Sequence, residues 1–189
     1  MKNIEQELKL LLDEREYELL SRQTTVEPQL QTNYYFAYPN MPQDVMVRIR
    51  NKNGVFLLCY KHRMYQSVGV TVCDERECEL APEYANTMLD RGITSDELDS
   101  ILNVDFDKDL TLLGSMDTYR TKFQMRDWTL ELDKNLYLGQ VDYELECEHR
   151  DVASLNALKN YLNFAFGVSI RPSSAKVERF LTALNNSRN

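Results

Sequence analysis

Along much of this chain apolar side chains recur at every second position, the spacing of a half-buried β-strand. Such runs fall at roughly 3–12, 32–38, 44–51, 55–64, 67–75, 109–115, 117–125, 127–133 and 137–148. Asp133-Lys134-Asn135 reads as a tight hairpin turn between the last two. Helical spacing is rarer. Residues 13–22 form a short amphipathic segment, and 82–90 opens on Pro82 with Gly92 just beyond its end. Thr94-Ser95-Asp96-Glu97 matches a capping box and predicts a helix to about residue 103. The longest helix is predicted over 151–166, where Leu155, Leu158, Tyr161, Leu162 and Phe166 form a stripe suited to pack on a sheet. A last helix is predicted over 174–185, with Lys176, Glu178 and Arg179 on an exposed face that gives no sign of a partner. Many antiparallel strands with covering helices imply an α+β fold. About eight long strands are enough to close a barrel. The expectation from the pattern is therefore one α+β domain over 1–189, with enough strands to close a barrel and helices around it.

The polar faces of the strands carry the chemistry. In Glu5-Gln6-Glu7-Leu8-Lys9, the residues Glu5, Glu7 and Lys9 share one face, spaced about 7 Å apart, while Ile4, Leu8 and Leu10 take the other. Arg48 and Arg50 alternate with Val47 and Ile49; Lys61 and Arg63 share a face with Leu57 and Cys59. Arg120, Lys122, Gln124 and Arg126 line one strand, Glu131 and Asp133 the next, and Glu144, Glu146 and Glu148 the last. A single strand of this kind is usually just a wet surface. The sorting is more informative: basic pairs lie on middle strands, acidic pairs on the first and last. Charged faces turned into one hydrated lumen would match a polyanion with its metal ions. Arginine forks bind phosphate oxygens, and lysine adds point charge. Glu5, Glu7, Glu144 and Glu146 could hold one or two Mg2+ or Mn2+ ions through hard carboxylate oxygens.

Composition narrows the field. The 189 residues carry a net charge of −8, which argues against nucleic acid and against an anionic membrane as partners. No apolar run approaches the roughly 18–20 residues of a spanning helix, and no signal-peptide core opens the chain, so a cytoplasmic protein is expected. Cys59, Cys73, Cys78 and Cys147, with only His62 and His149 as histidines, fit no zinc pattern and read as reduced thiols. No P-loop, H-E-x-x-H or G-x-S-x-G occurs. Trp128 and the aromatic run Tyr34, Tyr35, Phe36, Tyr38 read as packing residues, His62 as lying on the opposite face from Lys61, and His149 as sitting at a strand end.

Glu5-Gln6-Glu7-Leu8-Lys9 resembles the E-x-E-x-K signature of the CYTH superfamily, the triphosphate tunnel metalloenzymes. Gln31 to Phe36, Arg48-Ile49-Arg50, Lys61, Arg120-Thr121-Lys122, Glu131-Leu132-Asp133 before a hairpin, and Tyr143-Glu144-Leu145-Glu146 extend the resemblance over about residues 3–165. The small bacterial YjbK-like branch is the most similar in character. The resemblance implies a closed eight-stranded antiparallel β-barrel with surrounding helices, its core at 3–165, that forms a tunnel for triphosphate, with Mg2+ or Mn2+. It implies Glu5, Glu7, Glu144 and Glu146 as metal ligands with Asp133 assisting. It implies Lys9, Arg48, Arg50, Lys61, Arg120 and Lys122 as phosphate ligands, with Lys9, Glu5 and Glu7 closest to the chemistry. Around Cys73 to Glu79 the register leaves open whether Arg76 or Glu77 faces the lumen, and Arg63 and Arg126 fit a tunnel mouth or a solvated surface equally.

The expected function is metal-dependent hydrolysis of a triphosphate, inorganic tripolyphosphate being the simplest substrate. Thiamine triphosphate hydrolysis, class IV-type adenylyl cyclisation and non-catalytic binding of polyphosphate or nucleotide are the alternatives. A monomer or homodimer would serve any of these.

Overall fold

The computed structural model describes the backbone at residues 2–5, 7–67, 70–149 and 151–187, and side chains at 7–64, 73–149 and 151–187. In chain order the elements are β1 (Lys2–Glu5), β2 (Glu7–Leu12), α1 (Glu14–Ser21), β3 (Gln29–Ala37), β4 (Val45–Lys52), β5 (Val55–Ser67), β6 (Val70–Leu80), α2 (Pro82–Arg91), α3 (Ser95–Leu102), β7 (Thr111–Met125), β8 (Trp128–Tyr137), β9 (Gln140–Glu148), α4 (Val152–Phe166) and α5 (Lys176–Ser187). The fold is α+β, as the alternation predicts. The strand order runs β1-β6-β5-β4-β3-β7-β8-β9-β2. It ends at β1 on one side and β2 on the other, so among the described residues hydrogen bonds do not close the sheet into the expected barrel.

Two local readings change. Asp133-Lys134-Asn135 is no turn but the middle of β8. Asn135 is buried, accepts from Thr118 Oγ1 at 2.8 Å and donates to Asp142 at 2.9 Å, so its polar side chain serves the sheet rather than a bend. The reversal falls instead at Leu138 and Gly139, with φ of 48° and 75°, the paired positive angles that a two-residue hairpin needs. The two runs predicted at 109–115 and 117–125 form one continuous strand, β7.

The chain divides into two compact units. One comprises residues 1–4, 31–66 and 72–116; the other 5–30, 67–71 and 117–189. In the first, Phe36, Val47, Ile49, Phe56 and Leu58 pack against Ala85, Met88, Leu98 and Leu102 of α2 and α3. A tight approach joins those helices to the start of the 110s. Gly92 has φ 94°, and a Cβ there would lie 2.3 Å from the Leu110 carbonyl oxygen, beside the paired Ile93–Leu110 backbone bonds of 2.9 and 2.8 Å. The α3 capping box forms as predicted, Thr94 and Glu97 exchanging bonds. Arg91 bonding pulls the Glu97 carboxyl from 4.5 down to about 2 against the effect of burial, helped by Tyr84 and Thr94.

In the second unit β2 pairs with β9, β9 with β8 and β8 with β7, all antiparallel. Their aliphatic faces bury Leu8, Leu10, Leu12, Phe123, Leu130, Leu132 and Leu145 against Leu20 of α1 and Leu155, Leu158 and Leu162 of α4. The α4 stripe is thus the predicted one. Each such side chain contributes roughly 1.5–3 kcal/mol on burial. Trp128 packs as expected: it stacks on Tyr161 at 6.0 Å and its indole N–H donates to Ser154 Oγ at 2.9 Å. The outer edge of β2 is covered by the segment before α5, with Leu11 N–H donating to Arg171 at 2.8 Å and Ser173 N–H to Lys9 at 3.2 Å. Among the described residues no helix is long and apolar enough to cross a membrane.

Gly92→Ala should destabilise the protein by at least about 2 kcal/mol, because it adds left-handed strain to a backbone clash; the urea midpoint reads this. Glu97→Gln tests the cap by its pH dependence. The folded carboxyl titrates below its unfolded value of 4.5, so its contribution is complete above that pH and is lost as pH falls toward the folded value. The wild-type advantage in melting temperature should therefore be full at pH 6 and shrink steadily below pH 4.5.

Candidate functional site

Register, more than any single motif, builds the site in the second unit. Across four strands Lys122 faces Glu131, Glu131 faces Glu146, and Glu146 faces Lys9. One step along, Arg120 faces Asp133 and Asp133 faces Glu144. A third row sets Thr118 against Asn135 and Asn135 against Asp142. Period-two alternation puts all of these on the face opposite the leucines. Directly opposed carboxylates repel, and Glu144 and Asp133 are fully buried. The arrangement stands because cations are interleaved with them.

Arg120 donates through Nε and Nη2 to both oxygens of Asp133 at 2.7 and 2.6 Å, through Nη2 to Glu146 at 2.6 Å, and through Nη1 to Glu131. Lys122 pairs with Glu131 at 2.8 Å. Lys9 lies 3.2 Å from Glu7, 3.1 Å from Glu146 and 4.0 Å from Glu144. Burial would raise the Glu146 carboxyl, but Lys176, Lys9 and Arg120 outweigh it and hold it well below the usual carboxylate range. Burial would likewise lower the Lys9 ammonium, and Glu146, Glu7 and Glu144 reverse the sign and raise it.

Two cations come from α5, which corrects the expectation of an exposed face. Lys176 and Arg179 are only 11% and 12% exposed. Lys176 Nζ lies 2.9 Å from Asp133, 2.8 Å from Glu144 and 2.6 Å from Glu146. Arg179 bonds Asp142 at 2.9 Å and Glu144 at 2.6 Å. The available signal was their position. Two cations three apart in a helix's first turn oppose its dipole, so nearby anions had to hold them there. Glu131 and Asp142 also join the cluster.

Of the residues singled out in the sequence, Glu7, Lys9, Arg120, Lys122, Asp133, Glu144 and Glu146 are thus brought together. Glu5 lies on β1, and its side chain is outside the described residues. Arg48, Arg50 and Lys61 belong to the first unit. There Arg48 faces Tyr35 and Cys59, and Arg50 faces Asn33 and Leu57. Arg50 Nε donates to Asn33 at 3.2 Å, while Arg48 Nε is buried without a hydrogen-bond partner. Lys61 pairs with Glu75. Glu77 shares strand parity with Glu75, whereas Arg76, of opposite parity, pairs with Asp74 at 2.9 Å and donates to carbonyls at the end of α3. Arg76 and Glu77 thus lie on opposite faces of β6, with Arg76 toward the end of α3. His62 pairs with Asp44 at 3.2 Å, on the other face from Lys61. Arg126 lies 3.8 Å over the Tyr161 ring, among α4 residues, and His149 accepts from Asp151 N–H at the start of α4. The cysteines are all free thiols.

The donor chemistry of the cluster fits a hard divalent cation: the side chains are carboxylates, and Glu144 Oε1 is buried with no hydrogen-bond partner. Among the described residues, however, no three carboxylates or other ligand side chains are spaced to hold a metal as they stand; protein cations lie between them.

A CYTH domain model matches residues 3–181. The chain belongs to the CYTH domain family. Among solved structures, a candidate adenylate cyclase from Bacillus halodurans is 27% identical, with a TM-score of 0.74 over 95% of this chain and 98% of that one. A Hippeastrum protein, a candidate adenylyl cyclase described as having a dominant triphosphatase activity, is 24% identical, with a TM-score of 0.74 over 96% of both chains. The PH1819 protein of Pyrococcus horikoshii is 18% identical, with a TM-score of 0.62 over 94% of this chain and 98% of that one. No curated protein matches. The resemblance read from the E-x-E-x-K strand onward is thus correct at the level of the family.

Arg120→Met should cost about 3–5 kcal/mol, the usual penalty for stranding buried charge. Denaturant unfolding reads this directly, and a shift within about 1 kcal/mol would show that the carboxylates do not depend on the guanidinium.

Proposed function

We propose that this CYTH domain protein is a divalent-metal-dependent hydrolase of triphosphate compounds, with inorganic tripolyphosphate as its simplest substrate. The observation that carries the reading is the set of cross-strand carboxylate rows, with the buried, unbonded Glu144 Oε1, flanked on the same strands by Lys9, Arg120 and Lys122. An anion-binding protein gains nothing from burying carboxylates beside its ligand. In this reading Glu7, Glu144 and Glu146, with Asp133 and with Glu5 of β1, hold Mg2+ or Mn2+. Bound there, such an ion would neutralise phosphate oxygens and favour attack by water.

The chain's own cations take the phosphate. Lys9 and Arg120 present N–H donors along the carboxylate face, and Lys122, more exposed, extends it outward. The first unit, taken by itself, carries Arg48, Arg50 and Lys61, cations of the kind that bind phosphate oxygens, and Arg48 Nε is buried without a hydrogen-bond partner. Water attacks the terminal phosphorus in line. The bond to the bridging oxygen breaks, and orthophosphate and diphosphate leave. Arginine and lysine donors stabilise the charge on the equatorial oxygens. No side chain is phosphorylated. The 27% identical neighbour's description as a candidate adenylate cyclase favours cyclisation of ATP as the second reading, with cyclic AMP and pyrophosphate as its products.

Incubation with tripolyphosphate should release orthophosphate only with Mg2+ or Mn2+. Glu7→Gln and Glu146→Gln should reduce turnover by about 100-fold or more, the scale on which an electrostatic group acts at a reacting centre. Lys122→Ala should chiefly raise KM. Near-wild-type turnover in both glutamine variants would remove the carboxylate assignment. Pyrophosphate and cyclic AMP from ATP, without orthophosphate from tripolyphosphate, would favour cyclisation.

A further inference from the structure

The first unit contains a cavity of about 300 Å³, lined in part by Tyr38, Tyr60, His62, Asp105, Phe106 and Asp107. It lies on the other face of the strands from that unit's cations. Tyr60 pairs with Val47 and His62 with Val45, whereas Arg48, Arg50 and Lys61 have the opposite parity. The volume is at the lower end of the roughly 300–1,000 Å³ of small-molecule sites, so an occupant must be small. Tyr38 and Phe106 meet at 83° with ring centroids 6.3 Å apart, and Tyr60 and Phe106 at 89° and 6.0 Å. Neither pair is parallel, so neither offers a slot in which a flat ring could be sandwiched. Perpendicular rings turn their faces in different directions, which suits a compact group met from several sides.

The charge around these rings is mostly negative. Asp105 and Asp107 line the cavity, and Asp44 lies 3.2 Å from His62 Nε2. Asp74 and Arg76 are paired and cancel. Lys108 brings opposing charge from outside the lining, its Nζ 5.1 Å over the Tyr38 ring, and shows that this ring takes a cation. Burial raises the Tyr60 hydroxyl, and Asp74 and Asp44 raise it further against Arg76, as a negative surrounding potential would. Aromatic faces are themselves electron-rich and attract cations, most strongly where water is displaced. Tyr60 is buried. An anion would meet the carboxylates, and a neutral apolar molecule would leave them without a partner.

We propose that this cavity binds a small organic cation, a compact ammonium compound whose charged head sits among Tyr38, Tyr60 and Phe106 while Asp105 and Asp107 draw it in. A methylated ammonium fits best, because its methyl groups match the ring faces and its charge is spread over them. The site shares no residue with the carboxylate rows of the second unit. Its ligand is of the opposite charge to a triphosphate, so it is independent of the function proposed for those rows.

The test titrates choline into the isotope-labelled full chain and follows amide signals by NMR. It is repeated with the neutral alcohol in which carbon replaces the choline nitrogen. Choline should shift the signals of the lining residues, Tyr38, Tyr60, His62 and Asp105 to Asp107 among them, and saturate in the millimolar range or below. The neutral alcohol has the same shape, so it should bind about tenfold more weakly or not at all. Phe106→Leu, which keeps an apolar side chain and removes the ring, should weaken choline binding, as should Asp107→Asn, while Lys108→Gln should strengthen it. Asp107 and Lys108 are exposed, so these two variants decide the matter should Phe106→Leu fold poorly. Equal binding of choline and the alcohol would reduce the cavity to an apolar gap and overturn the proposal. So would the absence of any shift with choline, or an affinity indifferent to both charge variants.

Discussion

Neutralisation of buried carboxylates on adjacent strands is the constraint on which the second unit depends. Asp133 and Glu144 face each other across the ladder with no exposure, and Glu146 lies two residue pairs away on the same face, opposite Glu131. Left alone, such charges would protonate or unfold the sheet. Instead Arg120 and Lys9 from the same sheet, and Lys176 and Arg179 from α5, supply the opposing charge. Buried ion pairs of this kind seldom add net stability, and well-packed apolar residues would serve the fold as well or better. A cluster this costly to desolvate, in a sheet whose other face is ordinary leucine packing, is not accounted for by folding stability alone.

The rest of the unit reads as support for that face. The leucines of β2, β8 and β9 pack on α1 and α4, which sets the strand registers, and register decides which charges meet. A slip of one residue would turn every carboxylate into the leucine layer. The segment at residues 171–173 covers the edge of β2 and fixes where α5 begins, hence where Lys176 arrives. Glu16 ties that segment down, accepting from Ser169 N–H at 2.7 Å and from Arg171, so α1 positions the cluster indirectly.

How much of this was legible follows from what alternation encodes. Period two identifies faces, so Glu7 and Lys9, Arg120 and Lys122, and Glu144 and Glu146 could be grouped correctly from the sequence. It encodes no pairing, so Glu131 and Asp142 could not be given partners. The turn at 133–135 was misplaced because Asp-Lys-Asn has turn composition; its burial depends on Thr118 and Asp142, which no local window contains. Lys176 and Arg179 were missed for a related reason. Helical spacing marks a polar face and does not say whether water or carboxylate meets it. Closure of the strands by hydrogen bonding, which strand number alone implied, did not follow.

The same cluster constrains how a phosphate could ever be bound. Lys9 and Arg120 already donate to Glu146, Glu7, Asp133 and Glu131. For a phosphate to take those N–H groups, the carboxylates must either lose their partners while buried, which is prohibitive, or gain another cation. A dication on the carboxylates satisfies the second condition and brings its own attraction for phosphate. Under the proposed function, metal and phosphate would therefore reinforce each other's binding through the donors and acceptors they exchange. A triphosphate chain alone, offered to the cluster as it stands, would meet cations that are already occupied and carboxylates that repel it.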